Sequence, residues 1–199
     1  RSWAATPAIE RGEMLHEVAT RMRGRTDELA ELMTLEGGKP LIENSDEVGW
    51  TAACFDYYAE IGRDSAGRVI PSIESTQLSL VLKEPLGVVG CIVPWNFPMS
   101  IASWKVAPAL AAGNTVILKP AEQTPLTALI LGELALEAGV PPGVLNVVPG
   151  FGARAGQALT ENADVDKVSF TGSTATGRRI VDAAKGDFKR LSLELGGKS

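Results

Sequence analysis

Residues 113–148 read GNTVILKPAEQTPLTALILGELALEAGVPPGVLNVV, and this stretch decides the fold. A short β-branched apolar run, 115–118, comes first. A helical run over 125–138 follows, and a second short apolar run, 144–148, ends it. Thr124-Pro125 predicts a cap with proline at the first helical position, and Gly139 closes the helix ahead of Pro141-Pro142. The same alternation extends in both directions. Further strands are expected at 88–93, 167–170 and 190–195, with helices near 99–112, 153–160 and 174–185. Continuous apolar strands alternating with helices predict a parallel sheet of about five strands covered on both faces, the Rossmann-like doubly wound α/β class.

Upstream of residue 87 the pattern is different. Residues 9–63 read as helices, with Met14, Leu15, Val18 and Met22, then Leu29, Leu32 and Met33, at helical spacing. Gly37-Gly38-Lys39-Pro40 ends that run, and a second helical stretch over 42–61 carries Trp50, Phe55, Tyr57 and Tyr58. Residues 69–83 turn β-like through Thr76, Leu78, Leu80, Val81 and Leu82, as a hairpin or extended arm. The expected organisation is a helical segment at 1–68, a β arm at 69–86 and a parallel-sheet core at 87–199. There is no internal repeat and no low-complexity segment.

Composition narrows the chemistry. The chain has 199 residues, enough for one domain with or without an appendage, and a net charge of −5 argues against a phosphate-tracking nucleic-acid surface. No stretch approaches 18 uncharged apolar residues, so no membrane span is expected, and Arg1-Ser2-Trp3-Ala4 lacks the apolar core of a signal peptide. Two cysteines cannot build a disulfide framework and point to a reducing, cytoplasmic setting. His16, Cys54 and Cys91 lack metal-ligand spacing, so no metal site is expected. His16 has no nucleophile motif nearby, which argues against a Ser-His-Asp triad.

Ligands of such sheets bind at the carboxyl ends of the strands, so the loops there carry the candidate chemistry. After Phe170 comes Thr171-Gly172-Ser173-Thr174-Ala175-Thr176-Gly177, a G-x-T-x-x-G variant of the dinucleotide fingerprint. It reads either as a backbone cradle at a helix N-terminus or as a glycine-rich turn with a threonine cap. Gly150-Phe151-Gly152-Ala153-Arg154-Ala155-Gly156 is a second near-match. The terminal Gly197-Lys198-Ser199 mimics a P-loop, but Ser192 stands where that motif needs glycine. Pro94-Trp95-Asn96-Phe97-Pro98 holds Asn96 between two prolines, either as a rigid neutral donor for a developing oxyanion or as a turn former. Glu122, in Lys119-Pro120-Ala121-Glu122, can accept two ribose hydroxyls or simply start a helix at the surface. Glu194 interrupts an apolar strand. Burial there would raise its pKa and suit it to general-base work, whereas an ordinary exposed strand glutamate is the competing reading.

In this combination PWNFP (94–98), GNTVILKPAEQTP (113–125), FTGST (170–174) and LELGGK (193–198) resemble the NAD(P)-dependent aldehyde dehydrogenase family, nearest to its betaine-aldehyde and aminoaldehyde branch. The resemblance runs from about Trp3 to Ser199. It implies Asn96 as the oxyanion-hole amide, Glu194 as the general base and Lys105 as a proton-relay lysine. Lys119 and Glu122 would hold the adenosine ribose, and Gly172 and Ser173, with Phe170, Thr176 and Gly177 around them, the pyrophosphate turn. Gly152 and Gly156 would flank the adenine, Ile92, Val93, Pro94 and Trp95 would line the cofactor cleft, and Leu195 and Gly196 would lie beside the nicotinamide. Phe97, Ile101 and Trp104 would face the aldehyde. The cofactor implied is NAD, since Glu122 would repel a 2′-phosphate, with NADP possible because Lys119 partly offsets that repulsion.

The implied reaction oxidises an aldehyde to a carboxylic acid. A cysteine thiolate attacks, Asn96 and a backbone amide stabilise the oxyanion, hydride leaves, and Glu194 activates the water that hydrolyses the thioester. One departure stands out: the family's cysteine lies downstream of LELGGK, and Cys91, in an apolar strand, is expected to be inert. The catalytic domain carrying that cysteine is expected to be absent from these residues. Three readings stay open: part of an aldehyde dehydrogenase, a stand-alone dinucleotide-binding module without dehydrogenase activity, or a short form with an improvised site. A sheet parted from its catalytic domain is further expected to expose a large apolar patch, a route to homo-oligomers.

Overall fold

The architecture follows from where the apolar side chains can be buried. A computed structural model describes residues 2–64 and 66–197. A short helix, α1 (Ser2–Ala5), precedes three long ones, α2 (Ala8–Gly24), α3 (Thr26–Gly37) and α4 (Leu41–Ile61). A two-stranded antiparallel ribbon follows, β1 (Arg68–Ile70) with β2 (Ser79–Val81). Then come β3 (Val88–Ile92), α5 (Pro98–Ala111), β4 (Thr115–Lys119), α6 (Leu126–Glu137) and β5 (Leu145–Val147). A π-helical turn (Gly152–Gly156), α7 (Gln157–Glu161), β6 (Lys167–Gly172), α8 (Thr174–Ala184) and β7 (Arg190–Leu195) complete the chain.

β3 to β7 form one parallel sheet in the order β5-β4-β3-β6-β7. The order reverses between β3 and β6. The connections from β3 through β4 to β5 run outward on one side, and β6 and β7 are added on the other. In open parallel sheets that reversal splays the flanking connections apart and leaves a crevice at the strands' carboxyl ends. Gly87 leads into β3 with φ +125, and a Cβ there would lie 2.1 Å from the Asp166 Oδ2 that accepts the Val88 amide at 2.7 Å. A side-chain-free residue is needed for β3 to start in register beside β6.

Residues on these strands alternate between two faces. Val89, Cys91, Val93, Val116 and Leu118 join α2 to α6 in one continuous core, with Phe55, Leu15, Met22, Leu110 and Leu134 fully buried in it. On the opposite face Ile92, Val168 and Phe170 pack with Leu159 and Ile180 of α7 and α8. Each such side chain stabilises the fold by about 1.5–3 kcal/mol relative to exposure. Close helix packing also needs small residues: a Cβ on Gly12 of α2 would meet the Ala59 carbonyl oxygen of α4 at 2.9 Å.

Two expectations about the sheet are corrected. β6 and β7 are not continuous apolar runs covered on both faces. Lys167, Ser169 and Thr171 alternate with Val168 and Phe170, and Arg190, Ser192 and Glu194 alternate with Leu191 and Leu193, so one face of this pair is polar and lines an open cleft. Nor is the exposed apolar surface confined to the sheet: it includes the β1–β2 ribbon and its flanks, at Val69, Ile73, Leu78, Leu80 and Leu82.

Capping of α6 is also corrected. Thr124 makes no cap, its hydroxyl is buried without a partner, and α6 begins one residue later than expected. Glu36, at the end of α3, takes that role. Its carboxylate accepts the Leu126 amide at 3.0 Å and the Thr127 amide and hydroxyl at 3.5 and 3.3 Å. α3 itself ends at Gly38, whose φ of 77 is the left-handed turn that glycine adopts without steric cost.

The single histidine ties α2 to α4. Its Nδ1 lies 2.6 Å from Asp56 Oδ1 and its Nε2 2.7 Å from Glu60 Oε1, and Arg23 also pairs with Asp56. Hydrogen bonds to Asp56 and then Glu60 raise the His16 pKa against a smaller opposing effect of burial. A raised folded-state pKa contributes stability that is fully present below the unfolded value of about 6.5 and is lost as pH rises through the folded one. The ring is 40% exposed, so screening holds the effect to about 1 kcal/mol or less. Denaturant midpoints should therefore fall slightly from pH 6 to pH 9, and the His16→Gln variant should lose that slope. An identical slope in the variant would remove the assignment.

Candidate active site

The crevice at the reversal point receives the loop after β3 and the turn after β6. A cleft of about 1080 Å³ opens there on the polar face of β6 and β7. Pro94, Asn96, Ile101, Trp104 and Lys105 enter it from the β3–α5 side. Gly172, Glu194, Leu195 and Gly196 enter from the ends of β6 and β7. Sixty-seven residues or more separate these two groups in sequence, and the strand order joins them.

The loop 94–98 is built from its two prolines. Pro98 is the first residue of α5, where a missing N–H costs nothing. Asn96 is exposed, and among the described residues its side-chain amide has no hydrogen-bond partner. A turn-forming asparagine would bond its own loop, so the geometry leaves this donor available to a ligand. Lys105 sits on α5 with its Nζ 3.2 Å from Ser169 Oγ of β6, and burial lowers its pKa. Ile101 is buried at the floor, whereas Trp104 is 59% exposed and forms a wall.

Of its two sequence readings, Glu194 takes the exposed one. It is exposed, on the polar face of the edge strand, and not enclosed among apolar neighbours. The burial expected to tune it is not provided by these residues. Lys105, Lys167, Arg190 and Glu84 line the same cleft.

A second, smaller cavity of about 360 Å³ lies on the other face of the sheet, lined by Ile92, Gly152, Gly156, Phe170, Thr176 and Ile180 among others. The first five are residues that sequence reading assigned to a dinucleotide. Nothing lies within 4 Å of a Cβ built on Gly152 or Gly156, so these glycines leave open space and relieve no clash. Ser173 caps α8, accepting the Thr176 amide at 3.2 Å, so the cap is serine and not the threonine considered. Gly177 is buried. A Cβ there would lie 2.6 Å from Leu195, so its role is to let α8 approach β7.

Five predicted residues fall at the margins. Lys119 is buried at the end of β4, with Nζ 3.3 Å from Glu122 Oε2, while Glu122 is exposed. A hydrogen bond from its own backbone amide, and then the Lys119 ammonium, lower the Glu122 pKa. Val93 is buried in the core and contributes no side chain to either cavity. Phe97 and Trp95 line a different groove, beside Lys39, whose Nζ lies 4.0 Å from the Phe97 ring centroid. Phe97 is thus not brought together with Ile101 and Trp104. The Lys198 end of the LELGGK run lies outside the described residues.

Neither cysteine is placed as a nucleophile. Cys91 is fully buried and burial pushes its pKa up to about 12. Burial also raises that of the half-buried Cys54. Among the described residues no group of three metal-ligating side chains converges, and no helix is long and apolar enough to cross a membrane.

Known proteins share this fold. The aldehyde dehydrogenase family model matches residues 1–199. The chain is 49% identical to aminoaldehyde dehydrogenase 2 of Zea mays, over 100% of this chain and 40% of that protein. It is 46% identical to the NADP(+) succinate-semialdehyde dehydrogenase of Escherichia coli, over 100% of this chain and 41% of the relative. The solved betaine aldehyde dehydrogenase of Staphylococcus aureus, in complex with NAD+, superposes with a TM-score of 0.95 at 38% identity, covering 98% of this chain and 39% of that one. The chain thus spans about two fifths of the length of these relatives.

Proposed function

Because this chain belongs to the aldehyde dehydrogenase family, we propose that it supplies the cofactor-binding half of an enzyme that oxidises small aldehydes to carboxylic acids with NAD or NADP. The observation that carries the reading is the convergence of Asn96 and Glu194, from opposite sides of the strand reversal, on one cleft. The smaller cavity across the sheet fits a dinucleotide: an open glycine-lined floor, apolar walls from Ile92 and Phe170, and the capped start of α8 beside it. When bound, the nicotinamide accepts a hydride from the aldehyde carbon.

This chain's own residues then have three tasks. Asn96 donates its side-chain amide to the oxyanion formed when a thiolate adds to the aldehyde, a donor with no proton to lose at neutral pH. Trp104 and Ile101 shelter the aldehyde from water. Glu194 takes a proton from the water that hydrolyses the acyl intermediate. The thiolate itself comes from outside these residues, since Cys91 is buried and protonated.

Titrating NAD into the chain while following tryptophan fluorescence tests the reading. Saturable quenching at or below millimolar NAD is expected. The absence of any saturable signal, with the chain folded by circular dichroism, would count against it. Glu122 should also bias the choice of cofactor, through hydrogen bonds to ribose hydroxyls and repulsion of a 2′-phosphate. We expect NAD to bind ~10-fold tighter than NADP, a difference of about 1.4 kcal/mol, and Glu122→Gln to narrow the gap. Tighter binding of NADP by the unaltered chain would reverse that assignment.

A further inference from the structure

We propose that Lys39 and Glu47, which lie on the α3–α4 connection and on α4, act as a clamp that fixes the loop carrying Asn96. Glu47 is a carboxylate with no exposed surface, in a helix whose other buried positions are mainly apolar. Its Oε1 accepts the backbone amides of Met99 and Ser100, each at 3.0 Å, and so closes the N-terminus of α5. Its Oε2 pairs with the Lys39 ammonium, whose side chain is itself only 16% exposed. Lys39 then reaches the loop twice, with Nζ 3.5 Å from the Asn96 carbonyl oxygen and 4.0 Å from the Phe97 ring centroid.

Energetics show why this is more than packing. A buried ion pair seldom stabilises a fold more than apolar residues of similar volume, because desolvating both charges offsets their attraction. An apolar pair at 39 and 47 would fill the space equally well. It could not grip the amides that start α5 on one side of Asn96 and the Asn96 carbonyl on the other. The prolines at 94 and 98 stiffen the loop, and the clamp sets its orientation relative to α4. Lys39 meets Asn96 at its carbonyl oxygen, so the pair acts on Asn96 through the backbone. Lys39 and Glu47 are therefore positioning residues. Their role rests on the reading of Asn96 as the oxyanion donor.

Two measurements test this on separate footing. In the full 199-residue chain, Lys39→Met is expected to raise amide hydrogen exchange of residues 96–100 at least ~10-fold and to move the Asn96 side-chain amide NMR signals, with Lys39→Arg restoring both. Lys39→Met leaves Glu47 buried and unpaired and can unfold the helices. The double variant Lys39→Met, Glu47→Leu removes both charges together and is expected to keep the fold while loosening the same residues. In a full-length protein carrying these residues, the double variant should lower kcat roughly 10–100-fold through misplacement of the donor, with the KM for NAD unchanged. Exchange at 96–100 identical to the parent in both variants overturns the clamp. An Asn96→Ala variant with undiminished kcat instead overturns the role given to Asn96, and the exchange result still decides whether the clamp exists.

Discussion

Replacing Asn96 with alanine is expected to slow acyl-enzyme formation about 10²–10³-fold, the loss typical of one preorganised oxyanion donor. The expectation follows from three observations. The side chain faces the cleft, it has no partner among the described residues, and its backbone is held between Pro94 and the start of α5. A donor already oriented costs no reorganisation when charge develops on the substrate oxygen, so its removal falls almost entirely on the transition state. Affinity for NAD should be unchanged, because Asn96 does not line the cavity formed by Gly152, Gly156 and Thr176. Single-turnover kinetics of a full-length protein carrying these residues separate the two. A loss of NAD affinity with an unaltered acylation rate would move Asn96 from chemistry to binding.

Glu194→Gln should act on the other half of the reaction. General-base catalysis contributes about 10²–10⁴-fold, and glutamine keeps the shape of the side chain while removing its ability to take a proton. The first hydride transfer should survive, giving a burst of reduced cofactor close to one per site, after which steady turnover is lost. Steady-state turnover unchanged in Glu194→Gln would exclude it as that base.

Much of the fold was legible because it depends on local patterns. The five strands and the helices between them announce themselves by apolar period and by glycine and proline punctuation, and their bounds move by only a residue or two, except that the run expected at 153–160 divides into the π-helical turn and α7. The misreadings share a cause in contacts distant along the chain. Thr124 looked like a cap, but the acceptor that closes α6 is Glu36, about ninety residues earlier. Glu194, flanked by leucines, could be read as buried or as exposed, and the strand decides it by sending neighbouring residues to opposite faces, its own being polar. That alternation was present in Lys167, Ser169 and Thr171 and was obscured by Val168 and Phe170.

The site was legible in its motifs and not in its supports. Asn96, Glu194, Lys105, Ile101 and Trp104 are reunited in one cleft as their sequence signals suggested. Val93, Phe97 and Gly177 shared those signals but are engaged in packing, because a motif marks a segment and not the direction of each side chain. Glu47 gave no motif at all. Its one trace was its place on the buried stripe of α4, in step with Asn44, Thr51 and Phe55, where a charge is costly without a partner.

β6 separates the two cavities by the thickness of a single strand, and its residues are dealt alternately to either side. Ser169 and Thr171 belong to the large cleft, and Phe170 to the small cavity. A change at Lys167, Ser169 or Thr171 therefore alters the lining of one chamber and leaves Phe170, in the other, as it was. Two chambers that share a strand are thereby open to change one at a time.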